Sequence, residues 1–91
     1  MLTKAKKLKI IDKYKTHESD TGSPQVQIAI LTAEIQYLTQ HLRQHKKDFS
    51  SRRGLLKKVT ERRRLMKYLE RENLKSFKQL VEDLKIRIPK K

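Results

Sequence analysis

A row of basic side chains is the feature of this sequence best suited to binding chemistry. Arg53, Lys57, Arg64 and Arg71 recur at helical spacing, with Tyr68 among them. Arginine and lysine neutralise phosphates and release counterions, which gives affinity for nucleic acid without reading its sequence. A tyrosine ring in such a row can stack on a base or sugar and donate a hydrogen bond. The pattern predicts a nucleic-acid-binding face, with a merely solvated helix face as the alternative.

Two histidines, His41 and His45, lie one helical turn apart, a spacing that permits metal binding in principle. A catalytic zinc site usually needs a third protein ligand and, in the HExxH pattern, a Glu beside the first His. Here that neighbour is Leu42, and the only nearby carboxylate in sequence is Asp48. We therefore predict no metal site, and expect these polar groups to contact nucleic acid or to face solvent.

The sequence offers no arrangement of residues that predicts catalysis. Its acidic residues are scattered and mostly flanked by Lys or Arg, which is typical of helical ion pairs. Gly22 and Gly54 are the only glycines, so there is no glycine-rich loop for a nucleotide phosphate. We predict a protein that is not an enzyme and that binds no cofactor.

The segment Asp20-Thr21-Gly22-Ser23 has two interpretations. It is typical of a turn followed by a helix cap, which any helical bundle needs. It would also expose backbone N–H groups at a helix N-terminus, where they favour phosphate. Spacing alone leaves both interpretations open.

The charge balance indicates a polyanionic partner. The 91 residues carry 24 Lys or Arg against 10 Asp or Glu, a formal net charge of +14. Twelve basic residues and three acids fall between Arg43 and Arg71, whereas Glu18–Leu42 has three acids and neither Lys nor Arg. There is no cysteine, no signal peptide and no apolar run near the ~20 residues that span a bilayer. We expect a soluble cytosolic protein, with residues 1–91 as one domain.

Hydrophobic periodicity predicts two long helices. Ser23-Pro24 marks the start of the first, which runs to about His45, because Ser caps a helix and Pro suits its first position. The second runs from about Ser51 to Glu72, with Ser50 or Ser51 as its cap. Apolar residues of the first helix form two stripes, which predicts neighbours on both sides.

Between those stripes the first long helix carries a polar row, made of Gln27, Glu34 and His41 at intervals of seven. Two short helices complete the prediction. One is capped near Thr3, and the other is capped by Asn73 and ended by Pro89. The apolar residues of the last helix are Leu74, Phe77, Val81 and Leu84. The fold class is therefore all-α: four helices, of which the two long ones are antiparallel and the terminal ones short.

Five ordered motifs resemble a known family. They are, in order, DTGSPQVQ from Asp20, LT from Leu31, HLRQHKKD from His41, SRRGLL from Ser51 and RRRLMKYL from Arg62. Together they resemble the bacterial ribosomal protein S15 family of the small ribosomal subunit. The resemblance covers nearly the whole chain and is strongest from Asp20 to Arg71.

The resemblance implies an rRNA-binding structural protein with a two-part site. One part grips a three-way junction in the central domain of small-subunit rRNA; the matching residues are Thr21, Gly22, Gln27, Arg64, Tyr68 and Arg71. The other reads the minor groove of an adjoining helix at a G–U/G–C element; the matching residues are His41, Asp48 and Ser51. To these we add two further RNA-binding residues: His45, because it lies one helical turn from His41, and Arg53, because it belongs to the basic row.

The resemblance also implies partners and a location. We expect assembly with neighbouring small-subunit proteins, contact with large-subunit rRNA, binding to the protein's own mRNA in some members, and a place on the cytoplasmic ribosome. A membrane-surface or acidic-protein partner would call for Trp or Phe at an apolar interface, and the chain has no Trp and two Phe. A DNA-binding bundle would place a recognition helix in the major groove, so duplex DNA would then compete well.

Overall fold

Four helices form the described part of the chain, which comprises residues 4–14 and 23–86 of a computed structural model. They are α1 (Lys4–Tyr14), α2 (Pro24–Gln44), α3 (Phe49–Glu72) and α4 (Leu74–Leu84). The residues described contain no strand. The predicted all-α arrangement of two long and two short helices is confirmed.

The start of α2 follows the prediction. Ser23 has extended backbone angles, and its Oγ accepts a hydrogen bond from the N–H of Val26 at 3.3 Å. Pro24 takes the first helical position, where its missing N–H leaves no bond unmade. The helix ends at Gln44, and the N–H of His45 closes its last turn by donating to the carbonyl of His41 at 2.9 Å.

The start of α3 corrects the prediction. The helix begins at Phe49 and its cap is Asp48, so the expected cap at Ser50 or Ser51 is wrong. The Asp48 carboxylate accepts the N–H of Ser51, the third helical residue, at 3.0 Å. An aspartate is as good a cap as a serine, and here its spacing from Ser51 decides where the helix starts.

Helices α2 and α3 are antiparallel partners. Ile28 and Leu69 belong to one core cluster. Farther along, Arg62 donates to the Thr32 hydroxyl at 3.3 Å, and Lys58 pairs with Glu34 at 3.3 Å between Nζ and Oε1. The α3 residue number falls as the α2 number rises, and this fixes the relative direction of the two helices.

The apolar core lies where α4 packs against one end of this helix pair. Ile28, Leu69, Phe77 and Leu80 form the buried cluster at this end, and Val26, Ala29 and Leu38 are also buried apolar residues of α2. Six partly buried side chains surround the cluster: Tyr14, Leu65, Met66, Val81, Leu84 and Ile86. Leu74, one of the apolar residues that predicted this helix, is half exposed, and Leu80, which was not among them, is buried.

The terminal helices are less enclosed. Asn73 caps α4 as predicted, with its Oδ1 accepting the N–H of Ser76 at 3.2 Å. That helix ends at Leu84 and is followed by Lys85 in the left-handed region at φ 53°; Pro89 lies outside the described residues. Helix α1 has no buried residue, and the cap expected at Thr3 also lies outside the described residues. None of the helices described has the length and apolar character needed to cross a membrane.

Candidate nucleic-acid interface

One carboxylate organises the connection between α2 and α3. The Asp48 Oδ2 atom accepts the hydroxyl of Ser51 at 2.7 Å and lies 2.8 Å from Nε2 of His41. Its Oδ1 atom accepts the backbone N–H of Ser51. Three residues that the resemblance assigns to groove reading are thus bonded to one another, although they come from one helix, a connection and the next helix.

The hydrogen bonds keep this carboxylate ionised. The Ser51 hydroxyl first, then the His41 ring and the Ser51 N–H, hold the pKa of Asp48 well below its usual range. An ionised carboxylate only accepts hydrogen bonds, so both the Ser51 hydroxyl and His41 Nε2 must donate to it. The remaining lone pairs of Asp48 and of the Ser51 oxygen are acceptors, and both side chains are partly exposed.

Aromatic rings extend the network along α2. The rings of His41 and His45 stack with centroids 4.6 Å apart, and those of Tyr37 and His41 lie nearly parallel at 6.3 Å. His45 is exposed, as expected of a residue at an RNA surface. Within the described residues no three His, Asp or Glu side chains come together in a group that could hold a metal ion.

The predicted basic face of α3 is exposed. Arg53, Lys57, Arg64, Tyr68 and Arg71 all lie on the solvent side of the helix. The Arg71 guanidinium lies 5.7 Å above the Tyr68 ring centroid, and that ring is 46% exposed. Two acidic residues beside this face form long ion pairs with its arginines. The distance is 3.9 Å from a terminal guanidinium nitrogen of Arg64 to Oε2 of Glu61, and 3.6 Å from Nε of Arg71 to Oε1 of Glu72. The face remains available to phosphate.

The predicted residues fall into two groups at opposite ends of the α2–α3 pair. The groove-reading group lies at the connection, with Arg53 just beyond it. Gln27 and Tyr68 lie at the other end, because they adjoin Ile28 and Leu69, which share the core. With a rise of 1.5 Å per residue, Ser51 and Tyr68 are about 25 Å apart along the helix axis. Thr21 and Gly22 lie outside the described residues.

Two contacts between the long helices were missed by sequence reasoning. Glu34 was placed in the polar row with Gln27 and His41, but its side chain is only 9% exposed because it pairs with Lys58. Arg62, whose pKa is lowered by burial, reaches the hydroxyl of Thr32 in the same interface. No spacing within one helix reveals such partners. The capping role of Asp48, by contrast, had a signal in its residue type, because aspartate is among the preferred helix caps.

Gly54 lies one helical turn beyond Ser51. A Cβ built on it would meet nothing within 4 Å, apart from the helix's own neighbouring backbone. The glycine is therefore not required by packing inside this protein.

Comparison with known proteins assigns the family. The family model described as ribosomal protein S15 matches residues 6–87. A protein named small ribosomal subunit protein uS15 from Carboxydothermus hydrogenoformans is 57% identical over 86 residues, which cover 94% of this chain and 97% of that protein. Its namesake from Trichlorobacter lovleyi is 58% identical over 87 residues, covering 96% and 99%. The same name applies to a Lysinibacillus sphaericus protein, 56% identical over 86 residues covering 94% and 97%. By the family match and by these near-complete alignments, the chain belongs to the ribosomal protein S15 family.

Proposed function

We propose that this protein binds small-subunit rRNA through both ends of the α2–α3 pair and stabilises a three-way junction in the central domain. The family consists of structural, non-enzymatic constituents of the small ribosomal subunit, and rRNA binding is general within it. Its members work on the cytoplasmic ribosome. The observation that carries the finer proposal is the bonded group of His41, Asp48 and Ser51 at one end of the pair, about 25 Å from the Arg64–Tyr68–Arg71 cluster.

The groove-reading end has the chemistry to accept hydrogen bonds from RNA. The wide, shallow minor groove of A-form RNA displays base edges and 2′-hydroxyls to short side chains. The free lone pairs of Asp48 and Ser51 match the guanine amino group and the 2′-hydroxyl, both of which donate. A negative side chain would repel phosphate, so its use at an RNA surface favours base-edge or ribose contacts. His45 and Arg53 flank this site, and Arg53 supplies a phosphate contact.

The junction-binding end has the chemistry to neutralise crowded backbone. Arg64 and Arg71 project from one exposed face, and Tyr68 lies between them with Arg71 over its ring. We assign phosphate contacts to the two arginines and packing on a sugar or base to the tyrosine. Gln27 at the same end, together with Thr21 and Gly22, completes the proposed junction contacts.

Further partners follow from this role. By holding the junction in one fold, the protein orders later assembly steps of the small subunit, where it meets neighbouring small-subunit proteins. We also propose contact with large-subunit rRNA in the joined ribosome and, for this copy, binding to its own mRNA. Residues 1–91 act in this proposal as one RNA-binding domain.

The decisive experiment measures binding to a three-way-junction RNA from the central domain, with duplex RNA and duplex DNA as competitors. We expect neither duplex RNA nor duplex DNA to displace the junction RNA from the protein. Asp48→Ala and Tyr68→Ala should each lower junction affinity by about 5- to 150-fold, since a lost hydrogen bond to a charged group or a lost base stack costs roughly 1–3 kcal/mol. Lys78→Ala on α4 is the control, because it removes an exposed charge that the proposal assigns to neither RNA-binding cluster.

A different result would leave only nonspecific basic binding. That result is unchanged junction affinity in Asp48→Ala and Tyr68→Ala, combined with loss of binding when Arg53 and Lys57 are both removed. Equal competition by duplex DNA would point instead to the DNA-binding alternative.

A further inference from the structure

The imidazole of His41 is held at one atom by Asp48 and lies between two rings, that of Tyr37 on the same helix and that of His45, the residue that caps the end of α2. Its Nε2 atom donates to Asp48 at 2.8 Å, as argued above. Tyr37 lies four residues before His41 and His45 four residues after it, and the three rings form a row. The i, i+4 geometry of α2 brings Tyr37 and His41 onto one face, whereas His45 joins the row from the non-helical cap position.

A hydrogen bond at one ring nitrogen leaves the orientation of the imidazole plane poorly determined. The torsion that turns a histidine ring lies between an sp³ and an sp² carbon, and its preferences are broad. Stacking restricts that torsion. The His41 and His45 rings meet at an interplanar angle of 28° with centroids 4.6 Å apart, within the range of offset-stacked pairs. The Tyr37 ring, at 6.3 Å and 14°, limits the plane less tightly from the other side.

The orientation of that plane determines what the site presents. With its proton on Nε2, the neutral imidazole has Nδ1 as an acceptor on the opposite edge. Rotation of the ring would move Nε2 away from Asp48 and would redirect Nδ1. The bonds of the carboxylate with Ser51 would then be the only ones left to order the site.

We infer that His45 is a positioning residue for groove reading: its ring stacks on His41 and holds that imidazole in the orientation that Asp48 and a donor group of the RNA minor groove require. The role is exerted through His41 and needs the ring of His45 rather than its nitrogens. This inference rests on the proposed function, since it assumes that the group reads a guanine amino group. Tyr37 contributes in the same way and more weakly.

The test compares two junction RNAs that differ by one amino group. One carries guanine at the minor-groove position read by the site, and the other carries inosine, which lacks the 2-amino group. The measured quantity is the discrimination ratio, which is the dissociation constant for the inosine RNA divided by that for the guanine RNA. His45→Ala should lower this ratio by about two- to tenfold, the range expected for one stacked ring pair. His45→Phe should restore it, because phenylalanine keeps the ring without the nitrogens.

The control variant is Gln44→Ala, which changes an exposed neighbour at the end of α2 and should leave the ratio unchanged. Thermal unfolding followed by circular dichroism verifies that each variant is folded. Asp48→Ala reports on the proposed function itself: if this variant retains full discrimination, groove reading is absent and the proposed function fails at this end.

Given that Asp48→Ala abolishes discrimination, three results would overturn the inference about His45. The first is equal loss of affinity for both RNAs in His45→Ala, which would make His45 a direct backbone contact. The second is lost discrimination that His45→Phe does not restore, which would assign the effect to a ring nitrogen. The third is an unchanged ratio in His45→Ala.

Discussion

At the scale of single residues, Asp48 does more than its charge suggests. It begins α3, positions Ser51 and fixes which nitrogen of His41 carries the proton. The resemblance supplied these three residues individually, whereas the residue pattern alone predicted no metal site and only that the two histidines contact nucleic acid or face solvent. Their mutual bonding could not be predicted, because it depends on the exact path of the connection between two helices.

The pH dependence of stability should reveal the stabilising contribution of the ionised Asp48 side chain. Its native pKa is depressed from an ordinary value of 3.8, so its stabilising contribution is present above about pH 4 and is lost as the pH falls toward the native value. Asp48→Asn keeps a good helix cap but cannot accept both side-chain donors. We expect Asp48→Asn to lower Tm by several degrees at pH 5, and the difference from wild type to shrink steadily down to pH 2.5.

The comparison with wild type cancels the titration of the other acids, which both proteins share. Ser51→Ala is the companion variant, since its hydroxyl contributes most to the depressed pKa. In that variant the native pKa of Asp48 should lie closer to 3.8, so the pH-dependent loss of stability should be smaller and should end at a higher pH. A Tm difference that is the same at pH 2.5 and pH 5 would contradict the assignment.

At the scale of elements, the sequence predicts features that depend on one helix, such as its caps, and misses contacts between two helices. The starts of α2 and α4 could be read from Ser23 and Asn73, because capping depends on residues three apart. The capping role of Asp48 was assigned to Ser50 or Ser51, since serine and aspartate are both good caps. The burial of Glu34 could not be predicted at all, because its cause is Lys58 on the facing helix.

The Glu34–Lys58 pair should matter for stability. Glu34→Gln should lower the free energy of unfolding by about 1–3 kcal/mol, because it leaves a mostly buried ammonium group without its counter-charge. Urea denaturation at pH 7 measures this change. The control is Glu61→Gln, which breaks a pair whose side chains are 50% and 76% exposed, and it should cost less than about 1 kcal/mol.

A double variant separates charge loss from packing. Replacing both Glu34 and Lys58 with Met should recover most of the stability lost in Glu34→Gln, since no unpaired charge then remains in the interface. An effect of Glu34→Gln as small as that of Glu61→Gln would mean that the pair is solvated in solution.

At the scale of the whole molecule, the relevant features are its shape and the distribution of its positive charge. The described residues form a flat body with extents of 39 × 37 × 18 Å. Its excess charge is concentrated on α3, which is about 36 Å long. The net charge of +14 was evident from composition and indicated a polyanion. That the two proposed RNA-binding clusters lie at opposite ends of one helix pair could be seen only from the fold.

Salt dependence should distinguish the charged and uncharged contributions to binding. Arg64→Ala and Arg71→Ala should each reduce the slope of log affinity against log salt by about one unit, because each removes one phosphate contact. Ser51→Ala should lower junction affinity without changing the slope, since it removes no charge. Filter-binding or anisotropy titrations of the junction RNA at several salt concentrations supply both quantities. A changed slope in Ser51→Ala, or an unchanged one in both arginine variants, would contradict this division.

Gly54 has a consequence for the trade-off between stability and function. A glycine in a helix interior costs roughly 0.5–1 kcal/mol relative to alanine, because its backbone has more conformational entropy to lose. An added methyl group at this position would find open space, so packing within the fold does not require glycine there or the stability that glycine costs. It leaves bare backbone one turn from Ser51, where a partner can approach the helix more closely than any side chain would allow. The free protein is thus less stable than its own packing permits, at a point beside the proposed RNA-binding surface.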